Sequence, residues 1–406
     1  MRAAGFSHSR FCSPVAVCWS LTMTDYMTRA LELAAHARGN TGNNPAVGAV
    51  VVKGERVLGE GFTQPPGQAH AEVMALAAAG EAARGATVYV TLEPCCHFGR
   101  TPPCTDALIS AGVAEVHMAT LDPNPLVAGR GKASLEAAGI RTFLGEGEAE
   151  ARHSMEAWLT YIQRGRPMIT AKFAMSIDGK IATSSGDSKW ITGPVARQRA
   201  HRLRADSGAV IVGIGTVLAD DPELTARDAD GCPLPRQPLR VVVDSQGRIP
   251  LSCKIVSGNL PGRTFVALGP GADRDKRREL ERRGNVVVTL PQRDGHVSLE
   301  AVLQNLSGEW QITSALVEGG SALLGAFFDQ RLVDKVVAFI APKVIGGKEG
   351  IPAIGGKGAM TMSSVIGLRD LLWEQVGDDL MVTGYTVDGS NEPVGRRADS
   401  AATGGD

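Results

Sequence analysis

Apolar positions in the first third of the chain follow two different spacings. Between residues 24 and 39 they recur every three to four positions, as on the buried face of a helix, until Gly39 interrupts the pattern. Residues 46–52 form a short apolar, β-branched run, and residues 56–62 resemble its hairpin partner across Lys53-Gly54. Further segments alternate between helix and strand patterns at 71–83, 87–92, 105–110 and 113–119. The alternation predicts an α/β unit with a largely parallel sheet.

The second half repeats this alternation after a polar stretch. Residues 146–166 are charged and contain one predicted helix, 149–162, before Gly165-Arg166-Pro167 introduces a new strand at 168–175. Later strands are predicted at 209–212, 239–243, 264–268, 285–290, 314–317 and 335–340, and helices at 273–283, 299–306 and 321–329. The second half is therefore a second α/β unit.

Chain length supports this division. The 406 residues exceed the roughly 250–300 at which a single hydrophobic core stops growing. The predicted segments are a disordered extension 1–22, a first domain 23–145, a linker helix 146–166, a second domain 167–386 and a disordered tail 387–406.

The extension faintly resembles a secretory signal, with Arg2 and Arg10 before a weakly apolar run. Pro14 interrupts that run and no small-x-small cleavage site follows. We therefore favour an unstructured extension, or an upstream start codon with the domain opening near Met23, and expect a cytoplasmic protein.

Charge and hydropathy exclude two classes of protein. Forty-two Lys and Arg residues against 43 Asp and Glu residues give a formal net charge of −1, so no overall field attracts nucleic acid or an anionic membrane. No segment approaches the ~20 apolar residues of a membrane span. We therefore expect a soluble protein that binds neither nucleic acid nor membrane.

The seven cysteines are distributed as metal ligands rather than as a disulfide framework. Cys95, Cys96 and Cys104 lie within ten positions, and His70 and Glu72 precede them at the start of a predicted helix. One histidine and two thiolates supply three zinc ligands and leave the fourth tetrahedral position for water, whose pKa zinc lowers toward ~7. Glu72 would then act as the proton shuttle. The pattern matches the H-x-E … P-C … C signature of zinc-dependent nucleobase deaminases.

The spacing leaves alternatives open. The usual second half of the signature is P-C-x-x-C, whereas Cys95 and Cys104 are nine positions apart. Cys96 is a rival ligand, and His97 would close the coordination shell and make the zinc structural. A closed shell would favour a zinc-stabilised binding module over an enzyme.

The motif residues resemble the deaminase half of the RibD family, the bifunctional deaminase/reductases of riboflavin biosynthesis. The resemblance lies in PCCHFGRTPPC at 94–104, HAE at 70–72, NPAVG at 44–48, DPNP at 122–125 and GRG at 129–131, and it spans residues 24–145. It implies a cytidine-deaminase-like α/β/α domain. By the same resemblance His70, Cys95 and Cys104 bind zinc, Glu72 moves the proton and Asn44 binds substrate.

The second half is similar to the reductase half of that family, with a dihydrofolate-reductase-like α/β fold. The matching segments are KFAMSIDG at 172–179, SKWIT at 188–192, TVLADDP at 216–222 and EGG at 318–320. The implied NADPH-binding residues are Ala174, Trp190, Thr216, Asp220, Ser245, Gly320, Ser321, Ala322, Leu323, Leu324, Gly325 and Ala326. The implied substrate-binding residues are Lys172, Ser188, Arg204, Leu224, Arg227 and Glu318.

Two local patterns in this half can also be interpreted from the residues alone. Val317-Glu318-Gly319-Gly320-Ser321 is a strand, a glycine pair and a helix start, an arrangement that lets backbone N–H groups approach a pyrophosphate. Arg197, Arg199, Arg202 and Arg204 form a basic cluster whose spacing predicts that most of its members are solvated. Of the four, Arg204 alone is assigned to the substrate phosphate.

The family resemblance implies two successive reactions. The first is hydrolytic deamination of 2,5-diamino-6-(5-phosphoribosylamino)pyrimidin-4-one, and the second is NADPH-dependent reduction of its ribosylamino side chain to ribitylamino. The alternative is a nucleoside or nucleic-acid deaminase fused to an unrelated dihydrofolate-reductase-like domain. The expected partners are the phosphorylated pyrimidine and further copies of the chain in a homo-oligomer.

Overall fold

The computed structural model describes residues 23–387, so the predicted extension and residues 388–406 lie outside the described residues. Val387, which the sequence assigned to the tail, is the last residue of a strand. The elements of the first half are α1 (Met23–Ala37), β1 (Gly48–Lys53), β2 (Arg56–Phe62), α2 (Ala71–Ala79), β3 (Thr87–Val90), α3 (Cys104–Ala111), β4 (Glu115–Met118), α4 (Arg130–Ala137), β5 (Arg141–Leu144), α5 (Glu148–Ser154) and α6 (Glu156–Arg164).

The first sheet has the strand order β2-β1-β3-β4-β5. β1 is antiparallel to both β2 and β3, whereas β3, β4 and β5 run parallel. The expectation of a largely parallel sheet is therefore wrong for half of its pairings, because the hairpin turn at Lys53-Gly54 reverses the chain at the edge. The helical segments and the sheet share one core, with Val50, Val88 and Leu108 fully buried.

The segment between the two sheets is not one helix. The predicted helix 149–162 is instead α5 and α6, which meet at Met155. Met155, Trp158 and Leu159 are buried in the first core, so packing fixes the break. At its end, Arg164 and Arg166 pair with Asp334 of the second half at 2.6 and 2.7 Å. The segment thus packs on one core and contacts the other.

The second half forms a nine-stranded sheet with the order β11-β10-β9-β8-β14-β6-β15-β18-β17. Its elements are β6 (Met168–Ser176), β7 (Lys180–Ala182), α7 (Pro194–Asp206), β8 (Ala209–Gly213), α8 (Ile214–Asp220), β9 (Leu239–Asp244), β10 (Thr264–Leu268), α9 (Arg274–Arg282), β11 (Val286–Thr289), β12 (Gln292–Arg293), β13 (His296–Val297), α10 (Leu299–Gly308), β14 (Ser314–Gly319), α11 (Ser321–Asp329), β15 (Lys335–Ala341), β16 (Ile351–Pro352), β17 (Gly367–Val376) and β18 (Asp379–Val387).

All strands from β11 to β15 in that order are parallel, and β18 and β17 extend the sheet antiparallel. β9, β8 and β14 are adjacent, so the loops after them meet at one edge of the sheet. Ligands of open α/β sheets bind at the carboxyl ends of the strands.

Across residues 23–387, no helix combines the length and the apolar character needed to cross a bilayer.

Candidate functional site

The first site lies where β3 ends and where α2 and α3 begin. His70 immediately precedes α2, Cys95 lies in the loop after β3 and Cys104 is the first residue of α3. Their ligand atoms all lie within 4.8 Å of one another. His70 Nδ1 is 3.6 Å from Cys95 Sγ and 3.3 Å from Cys104 Sγ. Two helix starts and one strand end therefore bring the three predicted ligands together.

These distances fit a zinc ion. Zn–S bonds of about 2.3 Å and Zn–N bonds of about 2.0–2.1 Å at tetrahedral angles space the ligand atoms by roughly 3.5–3.8 Å. His70 presents Nδ1 to the two sulfurs, while its Nε2 lies 3.5 Å from Thr101 Oγ1. The hydroxyl holds the ring in this orientation, as outer partners of metal-binding histidines do. The donor set is the nitrogen and thiolate set that zinc prefers.

Both rival ligands lie outside this cluster. Cys96 Sγ instead donates to the Leu126 carbonyl oxygen at 3.8 Å. His97 is not part of the only metal-competent group found among the described residues, and its Nδ1 is buried without a hydrogen-bond partner within them. Three protein ligands leave one tetrahedral position open, as in catalytic rather than structural zinc sites.

Glu72 is buried beside the cluster. It is 4% exposed, and its carboxyl group contacts the Cys104 thiol. Burial raises the pKa of Glu72 to about 7, and the nearby Cys95 adds to the shift. The two thiols also affect each other. The hydrogen bond between them lowers the pKa of Cys95 and raises the pKa of Cys104. A carboxyl group in this position can both accept and return a proton.

Asn44 lies in the loop before β1. The backbone N–H of Gly48, at the start of β1, donates to Thr91 Oγ1 at 3.2 Å, just beyond the end of β3. Asn44 lies four residues before β1, at the edge of the sheet from which the loop to Cys95 emerges. Its role toward substrate stays a prediction.

Glu93 holds the segment 122–132 next to the cluster, a role that the sequence did not predict. Glu93 is 3% exposed, and its carboxylate accepts from the backbone N–H groups of Asp122, Gly129 and Lys132 at 2.9–3.2 Å. Burial also raises the pKa of Asp122 to about 7. The sequence signal for this role was the position of Glu93 directly after an apolar strand, because a carboxylate buried there needs several hydrogen-bond donors.

The second site is a cavity of about 550 Å³ in the reductase-like half. Ten residues predicted to bind cofactor or substrate line it: Lys172, Ala174, Ser188, Trp190, Arg204, Thr216, Asp220, Leu224, Arg227 and Glu318. They come from β6, α7, α8 and β14 and from the loops between β7 and α7 and after α8. Sequence positions nearly 150 residues apart therefore meet in one cavity.

A buried ion cluster forms the floor of this cavity. Arg204 donates to both carboxylate oxygens of Glu318, from Nε at 2.5 Å and from Nη2 at 2.9 Å. Lys172 Nζ lies 3.6 Å from Glu318 Oε2. Burial opposes the charge on Glu318, yet Arg204 and Lys172 hold its pKa down to about 2. Burial also lowers the pKa of Lys172, against the attraction of Glu318.

The basic cluster is divided between two environments. Arg197 and Arg204 both line the cavity, and Arg197 stacks on Trp190 with 4.5 Å between the guanidinium carbon and the ring centre. Arg202 is exposed, and Arg199 pairs with Glu374 at 3.4 Å. Arg197 therefore lies in the same cavity as Arg204, because positions 197 and 204 are seven apart and share one helix face. The assignment of Arg204 to the substrate phosphate stays a prediction.

The remaining predicted cofactor residues do not line the cavity, and the first of them lie at the sheet edge beside it. Ser245 follows β9, and a Cβ added to Gly320 would lie 3.2 Å from Thr216 Oγ1. The first intrahelical bond of α11 comes from Leu324 to the Gly320 carbonyl, which leaves the N–H groups of residues 321–323 free within the helix. The free N–H groups at this edge suit the phosphates of a dinucleotide.

Two members of the 320–326 segment are packed away from this edge. Leu324 is 1% exposed in the core, and Gly325 packs against Gly355 so closely that an added Cβ would lie 2.3 Å from its carbonyl carbon. Ser321 accepts from the Gly355 N–H at 3.0 Å through its carbonyl oxygen. The backbone N–H groups left free lie in the first turn of α11, and contact of Leu324, Gly325 and Ala326 with cofactor stays a prediction.

Known proteins match both halves. The family model "cytidine and deoxycytidylate deaminase zinc-binding region" matches residues 22–120, and "RibD C-terminal domain" matches residues 167–382. The riboflavin biosynthesis protein RibD of Aquifex aeolicus is 43% identical over 88% of this chain and 97% of its own length. The RibD of Escherichia coli K12 is 45% identical over 79% of this chain and 88% of its own length.

Two solved structures are similar to this chain over most of its length. Acinetobacter baumannii RibD superposes with a TM-score of 0.78 at 39% identity, covering 90% of this chain and 99% of that one. A Thermotoga maritima protein described as a diaminohydroxyphosphoribosylaminopyrimidine deaminase/5-amino-6-(5-phosphoribosylamino)uracil reductase gives a TM-score of 0.76 at 35% identity. It covers 90% of this chain and 98% of that one.

Proposed function

The chain belongs to the RibD family of bifunctional riboflavin-biosynthesis enzymes, and from that premise we propose which residues carry each of its two reactions. The protein is a deaminase and a reductase, with a zinc-binding deaminase region in the first half and a reductase region in the second. We assign the deaminase to residues 23–145, the reductase to 167–386 and the connection to 146–166.

The deaminase site acts on the diaminopyrimidinone carrying the phosphoribosylamino group. His70, Cys95 and Cys104 hold zinc, which when bound supplies a water acidic enough to give hydroxide near neutral pH. Glu72 takes the proton from the attacking water, passes it to the ring nitrogen and then delivers a proton to the departing amine. A C–O bond forms, a C–N bond breaks and ammonia leaves. Asn44 orients the pyrimidine.

The reductase site acts on the deaminated product. Lys172, Arg204 and Glu318 hold the substrate on the cavity floor, with Ser188, Leu224 and Arg227 around it. NADPH, when bound, would supply the hydride for C1′ of the ribosylamino group. The bond between C1′ and the ring oxygen breaks, and that oxygen takes up a proton from solvent, which gives the open-chain ribitylamino group. The NADPH-binding residues are Ala174, Trp190, Thr216, Asp220, Ser245, Gly320, Ser321, Ala322, Leu323, Leu324, Gly325 and Ala326.

Two further proposals concern the protein's surroundings. We propose that the enzyme works in the cytoplasm, where thiol ligands stay reduced. We also propose a homo-oligomer of this chain. β17 is an edge strand of the nine-stranded sheet, and its Leu372 and Trp373 are 65% and 66% exposed. A second copy would cover these side chains, and light scattering of the purified protein measures the resulting mass.

The observation that carries the proposal is the convergence of three zinc-type ligands, one position left open, with a buried carboxyl group beside them. The test is to supply the purified protein with the diaminopyrimidinone phosphate, with and without NADPH. Ammonia should appear in both cases, and NADPH should be oxidised only as the deaminated intermediate forms. Ammonia release that depends on NADPH, or no ammonia at all, would contradict the proposal.

A further inference from the structure

One group on the cavity wall has no role in the reactions assigned above. His201 lies on α7 and lines the cavity together with Arg197 and Arg204. The three occupy positions i, i+4 and i+7, which place them in one row along the helix. His201 is therefore part of the surface that a substrate meets.

The hydrogen bond of His201 determines which ring nitrogen is free. Its Nδ1 lies 3.0 Å from the carbonyl oxygen of Thr225. A carbonyl oxygen only accepts, so Nδ1 carries the proton and Nε2 of the neutral ring has the lone pair. Among residues 23–387, Nε2 has no hydrogen-bond partner. The anchored imidazole thus keeps one nitrogen available in the cavity.

The charges around His201 favour an anion. Arg204 donates from Nη1 to the same Thr225 carbonyl at 3.2 Å, so the guanidinium and the imidazole are held side by side. Arg227, from the loop after α8, and Glu318, on β14, are the other charged groups that act on the ring. Glu318 is already paired with Arg204 and Lys172. Burial and the Arg204 charge lower the pKa of His201, which keeps the free imidazole neutral.

We propose that His201 contacts the substrate of the reductase, with Nε2 binding the 5-phosphate of the phosphoribosylamino group and gaining a proton as the phosphate enters. This inference rests on the proposed reductase function. One proton is taken from solvent for each phosphate bound, and no covalent bond changes. The phosphate offsets the cations that disfavour the imidazolium, and a charge-assisted hydrogen bond then joins the two groups.

The proposal predicts how binding of the phosphorylated substrate depends on pH. The pKa of the imidazole is higher in the complex than in the free enzyme, so binding is tightest below the free-enzyme pKa and weakens as pH rises through the pKa of the complex. A phosphate monoester loses its second proton near pH ~6. Above that pH the phosphate stays dianionic, and the rise of KM with pH reports on His201.

The test compares His201→Asn with His201→Gln on the deaminated substrate with and without its phosphate. Asparagine keeps a donor for the Thr225 carbonyl but has no group at the Nε2 position, whereas glutamine places an amide there. His201→Asn should raise KM for the phosphorylated substrate about tenfold, change kcat less than threefold and lose the pH dependence of KM. KM for the dephosphorylated substrate and for NADPH should not change. His201→Gln should recover part of the loss.

A KM that rises equally for both substrates would assign His201 a structural role and overturn the proposal, as would an unchanged KM. Titration of ¹⁵N-histidine-labelled protein with ribose 5-phosphate supplies a readout independent of catalysis. The Nε2 resonance of His201 should move to the protonated range, and absence of binding or of that shift would refute the contact. If the shift occurs but wild-type protein reduces neither substrate, the reductase function fails while the phosphate contact stands.

Discussion

The two sites are built in opposite ways. The zinc-type site draws its ligands and Glu72 from a window of 35 residues, where a strand end and two helix starts converge. The reductase cavity draws its lining from residues 172 to 339, across β6, α7, α8, β14 and β15 and several loops. The first therefore depends on local geometry and a few ligand atoms, whereas the second depends on the packing of a whole sheet.

The largest expected effect concerns the local site. Cys104→Ala removes one of three ligands and should strip zinc from the protein, because two donors do not hold the ion. Cys96→Ser is the matched control, and it should keep full zinc content because Cys96 faces Leu126 instead of the cluster. Metal analysis of both purified variants measures this, and zinc loss in Cys96→Ser but not in Cys104→Ala would reverse the ligand assignment.

A smaller effect is expected at the edge of the sheet in the second site. Gly320→Val should raise KM for NADPH by about an order of magnitude, since the added Cβ would lie 3.2 Å from Thr216 Oγ1 and obstruct approach of a phosphate. Deamination should not change. Thermal unfolding distinguishes this from a folding defect. A variant that unfolds like wild type and binds NADPH normally would remove the turn from the cofactor site.

A change in stability rather than in activity is expected at the connection between the halves. Asp334 is 8% exposed, pairs with Arg164 and Arg166, and accepts from the Ile169 N–H at 2.7 Å. Asp334→Ala should lower the free energy of unfolding by about 2–3 kcal/mol, below the ~3–5 kcal/mol of a fully buried pair because the arginines are partly solvated.

The matched control is Asp275→Ala, which breaks an exposed pair with Arg278 and should cost no more than about 0.5 kcal/mol. Denaturant unfolding of the two variants makes the comparison. Equal losses would show that the contact of the connecting segment with the second half contributes no special stability.

The sequence predicts the local zinc-type site more completely than the reductase cavity, which is assembled from distant segments. Residue types and spacing indicated His70, Glu72, Cys95 and Cys104, because their chemistry is specific and their separation is short, and left Cys96 and His97 as rival ligands. His201 was not found, because no motif marks it. Its spacing from Arg197 and Arg204 was the available signal, and it becomes meaningful only once α7 is known to be a helix.

Three of the elements that the sequence analysis missed, α7, α4 and β17, share a physical cause. α7 buries only Ala196 and Ala200, and α4 buries only Gly131 and Leu135, so neither shows an apolar stripe. β17 is exposed along nearly its whole length and therefore lacks the alternation of a half-buried strand. Segments whose position is set by neighbours rather than by their own apolar pattern are not predictable from local periodicity.

The central claim is that one chain carries two separate active sites, and Glu72→Ala tests it most directly. Ammonia release from the diaminopyrimidinone phosphate should fall at least ~10²-fold, the low end of general acid–base catalysis. NADPH oxidation on the already deaminated substrate should proceed at the wild-type rate, because no lining residue of the second cavity lies before Lys172. Deamination near the wild-type rate, or loss of NADPH oxidation by a normally folded variant, would contradict the account.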